Sequence, residues 1–290
     1  MPSYRFCRPD DLPLLLRAVA DCWHVHFPAE PPPSAEGFRR EMKELDLWPS
    51  SCMVALGGAG GREPVAVAIG TRRETEVAVL RVGVRPDHQR QGHASHLLTS
   101  LSQKLAVLGP ERLVAEVPAG MPAAEALLAS VGYEREAALT DWTLDRDALA
   151  VLGTESVSEE VAAPVRVEEL AAAGALDLPA GLAWERQRRT LVQRGDRLTG
   201  LVIAGPERVE AWLVYDPGSE VLDVWGAGAA DPERAEPLLR LLFRALAARA
   251  GRSLRLPRLG GSELPASLPA ALGFTPGAQY TRWAARAKPL

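Results

Sequence analysis

The chain has 290 residues, of which 47% are hydrophobic and 24% are charged, and its formal net charge at pH 7 is −4. This length suits one large or two ordinary globular domains, and the composition is that of a globular protein rather than a disordered or fibrous one. A slightly acidic chain lacks the broad basic surface through which proteins bind nucleic acid, so we expect no nucleic-acid partner.

The beginning of the chain and its cysteines favour a cytoplasmic protein. Residues 1–5 are not followed by an apolar segment, and no run of the sequence approaches the roughly 18 apolar residues of a membrane-spanning helix. Cys7, Cys22 and Cys52 are odd in number and widely spaced, which fits neither a disulfide framework nor a metal-binding cluster. We therefore expect no membrane association and no bound metal.

Hydrophobic periodicity predicts alternating strands and helices in the first half of the chain. Apolar residues at helical spacing predict helices, and β-branched apolar runs predict strands. The predicted elements are a strand near 4–8, helices at 10–27 and 34–47, strands at 52–56, 65–70 and 77–84, a helix at 92–108, a strand at 112–117, a helix at 122–131 and a strand at 133–144. This order predicts an α/β (α+β) fold with a mixed, mostly antiparallel sheet flanked by helices.

The same landmarks recur 141 residues later. Gly132 and Trp142 correspond to Gly273 and Trp283, and four leucines of the 92–108 helix fall on leucines at 238, 239, 242 and 246. Strands follow at 201–204, 209–215, 221–226, 254–256 and 274–284, with a helix at 232–250. The repeat predicts two tandem domains, 1–146 and 163–290, joined by a linker at 147–162. The same offset places Leu80, Val82 and Val84 opposite Val221, Asp223 and Trp225.

The junction between the strand at 77–84 and the helix at 92–108 has the form of an anion site. Backbone N–H groups converge where a helix begins, and the helix dipole adds about half a positive charge there. Gly92 lets an anion approach the main chain where a Cβ would obstruct it. The residues therefore predict a phosphate-binding loop.

This loop resembles a signature of the GNAT superfamily of N-acetyltransferases. Gln89-x-x-Gly92-x-Ala94 fits the pattern Gln/Arg-x-x-Gly-x-Gly/Ala, which in that superfamily holds the pyrophosphate of acetyl-CoA. The resemblance implies two tandem GNAT-fold domains, an arrangement similar to that of mycothiol synthases, and acetyl-CoA as cofactor. The cofactor-binding residues that it implies are Val82, Gly83, Val84, Gln89, Arg90, Gln91, Gly92, His93, Ala94 and Ser95.

The resemblance also implies direct attack of an amine on the thioester, which requires a base to remove a proton. Glu116 is the first candidate, because it matches a strand glutamate of N-terminal-amine acetyltransferases in the superfamily. The alternative for Glu116 is an exposed strand carboxylate beside Arg112. Glu76 is the second candidate, since it shares a strand face with Ala78, where histone-type members carry their base.

Two residues depart from the resembled pattern between Glu116 and Tyr133. Met121 stands where an asparagine that contacts the cofactor is usual, and Leu128 stands where a tyrosine often protonates the leaving thiolate. Leucine has no proton to donate, so solvent or another side chain must do so. His24 and His26, two residues apart, are predicted to be surface residues, with a substrate-lining role as the alternative, and their spacing does not support a metal site.

The second copy of the loop is a poor phosphate site. At the 141-residue offset the motif falls on 230–235, where Asp231 and Glu233 bring negative charge and Pro232 lacks an N–H. We therefore expect acetyl-CoA in the N-terminal half alone and a degenerate C-terminal half. The predicted protein, a monomer or homodimer, acetylates an amine of a small molecule or peptide. The alternative is a catalytically weak protein that binds or senses acyl-CoA.

Overall fold

The computed structural model of the chain describes residues 2–30, 34–58, 60–149, 162–177 and 181–288. It contains two units, one formed by Met1–Glu136 with Arg282–Leu290 and the other by Ala137–Thr281. The elements of the first unit are β1 (Ser3–Phe6), α1 (Leu12–Cys22), α2 (Ala35–Glu44), β2 (Met53–Gly57), β3 (Glu63–Gly70), β4 (Glu76–Val84), α3 (His93–Leu108), β5 (Arg112–Pro118) and α4 (Pro122–Ser130), with 3-10 turns at His24–His26 and Pro86–His88.

The remaining elements begin with β6 (Glu134–Leu144) and end with β12 (Thr275–Arg286), two strands that each have residues in both units. Between them lie β7 (Ala163–Val165), α5 (Val167–Ala172), α6 (Arg188–Gln193), β8 (Thr199–Ala204), β9 (Val209–Tyr215), β10 (Leu222–Ala229), α7 (Ala235–Ala250), β11 (Leu254–Gly260) and α8 (Leu268–Ala271), with a 3-10 turn at Trp184–Arg186. The predicted α/β (α+β) class is confirmed.

The sheet of the first unit is buried on both faces. Its strands run in the order β1-β2-β3-β4-β5, antiparallel except for the parallel pair β4 and β5. Because successive strand residues point to opposite faces, Val67 and Ile69 pack with α1 and α2, while Ala66 and Ala68 pack with α3. The leucines that predicted the 92–108 helix are the buried face of α3.

The second unit repeats this plan, as the internal repeat predicts. Its strands run in the order β6-β11-β10-β9-β8-β7, and β10 and β11 form the parallel pair. Leu238, Leu239, Leu242 and Leu246 are the buried face of α7, which matches α3 in length. Gly132 and Gly273 both adopt a left-handed φ, of 89° and 85°, at corresponding turns. Each unit therefore has a mostly antiparallel sheet flanked by helices.

The end of the chain does not follow the predicted domain boundaries. Residues 282–290 belong to the first unit, and residues from Ala137 onward belong to the second. Trp283 and Ala287 lie in the hydrophobic core of the first unit, whereas β6 pairs with β11 from Leu139 to Leu144. The repeat pattern predicts β6 in the first unit and β12 in the second. Since the two strands carry the same pattern, the end of each can take the position that the pattern predicts for the other. Residues 150–161 of the predicted linker lie outside the described residues.

The gap-free offset of 141 residues does not align β4 with the matching strand of the second unit, β10. An extra residue, Leu80, separates the ladder pairs Ile69–Arg81 and Gly70–Val79, and Trp225 holds the same position in β10. Trp225 therefore corresponds to Leu80 and not to Val84. The loop after β10 consists of residues 230–234, three fewer than residues 85–92 after β4. The degenerate copy has thus lost loop length as well as loop chemistry.

Candidate active site

A cavity of about 640 Å³ lies in the first unit, where β4 and β5 diverge. The ladder between the two strands ends at Val79 and Ala115, although both strands continue. The bulge at Leu80 explains the divergence, because an extra residue bends a strand and interrupts its pairing. Of the ten predicted cofactor residues, only Gln91 is not part of the cavity lining. The nine that line the cavity are Val82, Gly83, Val84, Gln89, Arg90, Gly92, His93, Ala94 and Ser95.

The loop before α3 presents main-chain donors to this cavity. Gly92 is the N-cap of α3 with a left-handed φ of 83°, and within the part of the chain that the structure describes no side chain caps the helix. The first N–H groups of a helix have no acceptor in the helix itself. A Cβ built on Gly92 would meet no atom within 4 Å, so the space beside these donors is open. The loop therefore fits an anionic group.

Gly83 permits a close approach between α1 and β4. A Cβ at this position would lie 2.2 Å from the carbonyl oxygen of Cys22 and 3.0 Å from the Cα of Trp23. Both atoms are main chain and cannot rotate away. This contact places the end of α1 against the cavity.

The end of α1 supplies a wall of the cavity, for which the sequence offers His26 as a candidate but not Trp23 or Phe27. Trp23, His26 and Phe27 line the cavity, and the rings of Trp23 and Phe27 stack with centroids 4.3 Å apart. His26 Nε2 lies 2.8 Å from the carbonyl oxygen of Val84 and so donates to the last residue of β4. The sequence signal for this wall is the pair of aromatic residues on either side of His-Val-His. Helical spacing alone does not show that these aromatic side chains line a cavity.

His93 places an unused polar atom beside the cavity. Its Nδ1 lies 2.6 Å from the hydroxyl oxygen of Tyr4, while its Nε2 is buried without a hydrogen-bond partner among the described residues. Burial lowers the pKa of His93, and His88 and His96 nearby lower it further, so its ring is neutral at pH 7. A buried nitrogen of this kind requires a partner from water or a ligand.

The two candidate bases share one cation. Arg282, fully buried, brings Nη1 to 3.5 Å from Glu116 Oε1 and Nη2 to 3.1 Å from Glu76 Oε2. Its Nε donates to Glu136 at 2.9 Å, and Arg112 pairs with both Glu76 and Glu136. Glu116 lines the cavity, but Glu76 does not. The structure thus brings Glu116 to the predicted site and leaves Glu76 behind it.

Several other side chains supply neither a proton donor nor a nucleophile for a reaction in the cavity. Met121 and Leu128 both line it, so neither departure from the resembled pattern adds a proton donor there. Burial raises the pKa of the Cys7, Cys22 and Cys52 thiols to about 12, which keeps them protonated and non-nucleophilic at neutral pH. Over the described ranges, no group of three or more metal-ligating side chains is placed to hold a metal ion.

The corresponding region of the second unit is filled by its own side chains. Arg186 donates from Nη1 to the carbonyl oxygens of Val224 and Pro257, each at 2.9 Å, and it pairs with Glu263. Both side chains are completely buried. By the strand correspondence, Val224 and Pro257 match Val79 and Glu116, which line the cavity of the first unit. In addition, Asp231 accepts from the N–H of Glu233 at 2.9 Å and so occupies the loop's own donor.

The sequence of the first unit is similar to a known family of acetyltransferases. Residues 15–133 match the model of the acetyltransferase (GNAT) family. This match lies within the first unit and covers less than half of the chain. No curated protein matches it in sequence. Among the described residues, no helix is both long enough and apolar enough to cross a membrane.

Solved structures share the fold over the whole chain. A tandem GNAT protein from the clavulanic acid biosynthesis pathway is 20% identical, with complete coverage of both chains and a TM-score of 0.66. A GCN5-related N-acetyltransferase from Sphaerobacter thermophilus is 17% identical over 99% of this chain and 96% of its own, with a TM-score of 0.65. A putative acetyltransferase from Pyrococcus horikoshii is 14% identical over 99% and 90%, with a TM-score of 0.62.

Proposed function

We propose that the first unit transfers the acetyl group of acetyl-CoA to an amine of a small molecule or peptide. The observation that carries the proposal is the open N-terminus of α3 at Gly92, where main-chain donors without a side-chain cap meet a cavity. A pyrophosphate accepts hydrogen bonds from such donors, and Arg90 beside them adds positive charge. The left-handed Gly92, beside which a Cβ would meet no atom within 4 Å, leaves space for a polar cofactor at this place.

When bound, acetyl-CoA supplies an activated acyl thioester to which an amine nitrogen can add. The chain's own residues then have separate tasks. Main-chain groups of Val82, Gly83 and Val84 hold the pantetheine arm, and the wall formed by Trp23 and Phe27 excludes water from one side. Glu116 accepts the proton that the amine loses as its new bond to carbon forms. Leu128 has no proton to give, so the proton for the leaving thiolate would come from solvent or from another side chain.

Replacing Glu116 by glutamine tests the assignment of the base. Glutamine keeps the shape of the side chain but cannot accept a proton, so we expect kcat to fall by roughly 10²–10⁴-fold. The Kd of acetyl-CoA should change little, because the phosphate loop is intact. Release of free thiol from acetyl-CoA over a panel of amines measures kcat, and calorimetry measures Kd.

The same assay separates catalysis from a sensing role. An acyl-CoA sensor would bind acetyl-CoA but release no thiol in response to any amine, and Leu128 at the cavity wall is the observation that keeps this alternative in the test. Unchanged kcat in Glu116→Gln would remove Glu116 from the mechanism. A cytoplasmic location and a monomeric or homodimeric state are predictions from the sequence.

A further inference from the structure

Arg282 is the most completely buried cation of the first unit's charged cluster. It lies near the end of β12, 146 residues after Glu136, and its side chain is fully shielded from solvent. Three carboxylates surround it, from Glu76, Glu116 and Glu136. A guanidinium has five N–H donors in a rigid planar fork, which suits one cation shared among several carboxylates.

The three carboxylates occupy different positions relative to the cavity. Glu116 lines it, whereas Glu76 and Glu136 lie outside its lining. Arg112 also pairs with Glu76 and Glu136, so these two have a second cation. The contact of Arg282 with Glu116 is the longest of its three, at 3.5 Å against 3.1 and 2.9 Å. Arg282 therefore anchors itself on two carboxylates and presents Nη1 to the third.

We propose that Arg282 is a positioning residue that holds the Glu116 carboxylate at the cavity wall. This inference rests on the proposed function, in which Glu116 accepts a proton. Restricting the Glu116 side chain to one rotamer costs conformational entropy. The contact with Arg282 restricts it before the substrate binds, so this cost does not add to the barrier of the reaction. Proton transfer requires the acceptor within hydrogen-bond distance of the donor, so the orientation of Glu116 affects kcat rather than cofactor affinity.

The proposal gives the C-terminal segment a role in catalysis by the first unit. The sequence of residues 1–146 contains Glu116 but not the cation that orients it. Removal of Arg282 would leave three carboxylates close together without their shared cation, and like charges at short range repel. Glu116 would then turn away from Glu76 and Glu136 and lose its fixed position.

The test compares kcat and acetyl-CoA Kd among wild type, Arg282→Met, Arg282→Lys and the control Arg286→Met. Misplacing a catalytic group by about 1 Å costs on the order of 10²-fold, so we expect such a fall in kcat for Arg282→Met with Kd unchanged within threefold. Arg282→Lys keeps one charge and should recover part of kcat. Arg286→Met removes an exposed cation of the same strand that lies outside the cluster, and it should leave kcat within threefold of wild type.

A double variant shows whether Arg282 acts through Glu116. If it does, Arg282→Met combined with Glu116→Gln should have the kcat of Glu116→Gln alone, because the oriented carboxylate is already gone. Multiplying effects, or full kcat in Arg282→Met, would overturn the proposal. Should Arg282→Met fail to fold, Arg282→Lys with and without Glu116→Gln gives the same comparison. A wild type without amine-dependent turnover would instead refute the proposed function itself.

Discussion

The variant Gly83→Ala is expected to lose acetyl-CoA binding and to unfold at a lower denaturant concentration than wild type. The added Cβ would lie 2.2 Å from the carbonyl oxygen and 2.7 Å from the carbonyl carbon of Cys22, distances that no side-chain rotation relieves. The end of α1 must therefore move away from β4. Overpacking of this kind costs typically about 1–3 kcal/mol in the free energy of unfolding.

Acetyl-CoA binding is affected because the end of α1 leads into residues that line the cavity. Trp23, His26 and Phe27 line the cavity at the end of that helix, so a displaced α1 distorts one wall of the site. Calorimetric titration with acetyl-CoA and chemical denaturation measure the two effects. Gly261→Ala is the matched control, because a Cβ at Gly261 meets no atom within 4 Å. Equal behaviour of the two variants would contradict the close approach seen at Gly83.

Truncation after Thr281 is expected to unfold the first unit. It removes Arg282 from three carboxylates and Trp283 from the hydrophobic core, although both residues lie in the second half of the sequence. Losing one partner of a buried ion pair costs about 3–5 kcal/mol, and truncating a buried tryptophan costs about 3–5 kcal/mol. Their sum is comparable with the whole free energy of unfolding of a typical domain, which is about 5–15 kcal/mol.

Hydrogen exchange measures this outcome directly. The amides of β5 and α3 should lose protection in the truncated chain, because Ala287 N also donates to Glu111 O beside β5 at 2.6 Å. Arg286→Ala in the full-length chain is the control, since that side chain is 82% exposed. Protection of β5 as in wild type would contradict the assignment of residues 282–290 to the first unit.

The elements and the loop could be predicted because their signals are local. The leucines of α3 recur at helical spacing, and Gly92 precedes them where a helix N-cap belongs. Nine of the predicted loop and strand residues consequently line the cavity. The wall at Trp23 and Phe27 was not predicted, because a 3-10 turn after α1 replaces the helical continuation that the spacing favours.

The ends of the two repeats show what the sequence does not determine. Gly132 with Trp142 and Gly273 with Trp283 give β6 and β12 the same pattern, so either strand suits the edge beside β5 or β11. Such equivalence is the condition under which identical elements are exchanged between copies. Glu116 accordingly pairs with Arg282, whereas the neighbouring Arg112 that the sequence suggested pairs with Glu76 and Glu136.

A gap-free repeat also concealed the shorter loop of the second unit. The offset of 141 residues that aligns α3 with α7 does not align β4 with β10, where the bulges at Leu80 and Trp225 correspond at 145 residues, so the second copy is four residues shorter between the bulge and the aligned leucines of the helix. Only the bulges at Leu80 and Trp225 establish the correspondence. This register identifies Arg186 as the side chain that fills the space equivalent to the cavity.

Calorimetric titration of the full-length protein with acetyl-CoA shows whether the first unit alone binds the cofactor. We predict one molecule bound per chain, because the second unit is closed by Arg186 and Glu263. Binding should vanish in Gly92→Asp, where aspartate tolerates the left-handed φ and its carboxylate would cap α3 as Asp231 caps its own turn. Two molecules per chain, or undiminished affinity in Gly92→Asp, would contradict the account.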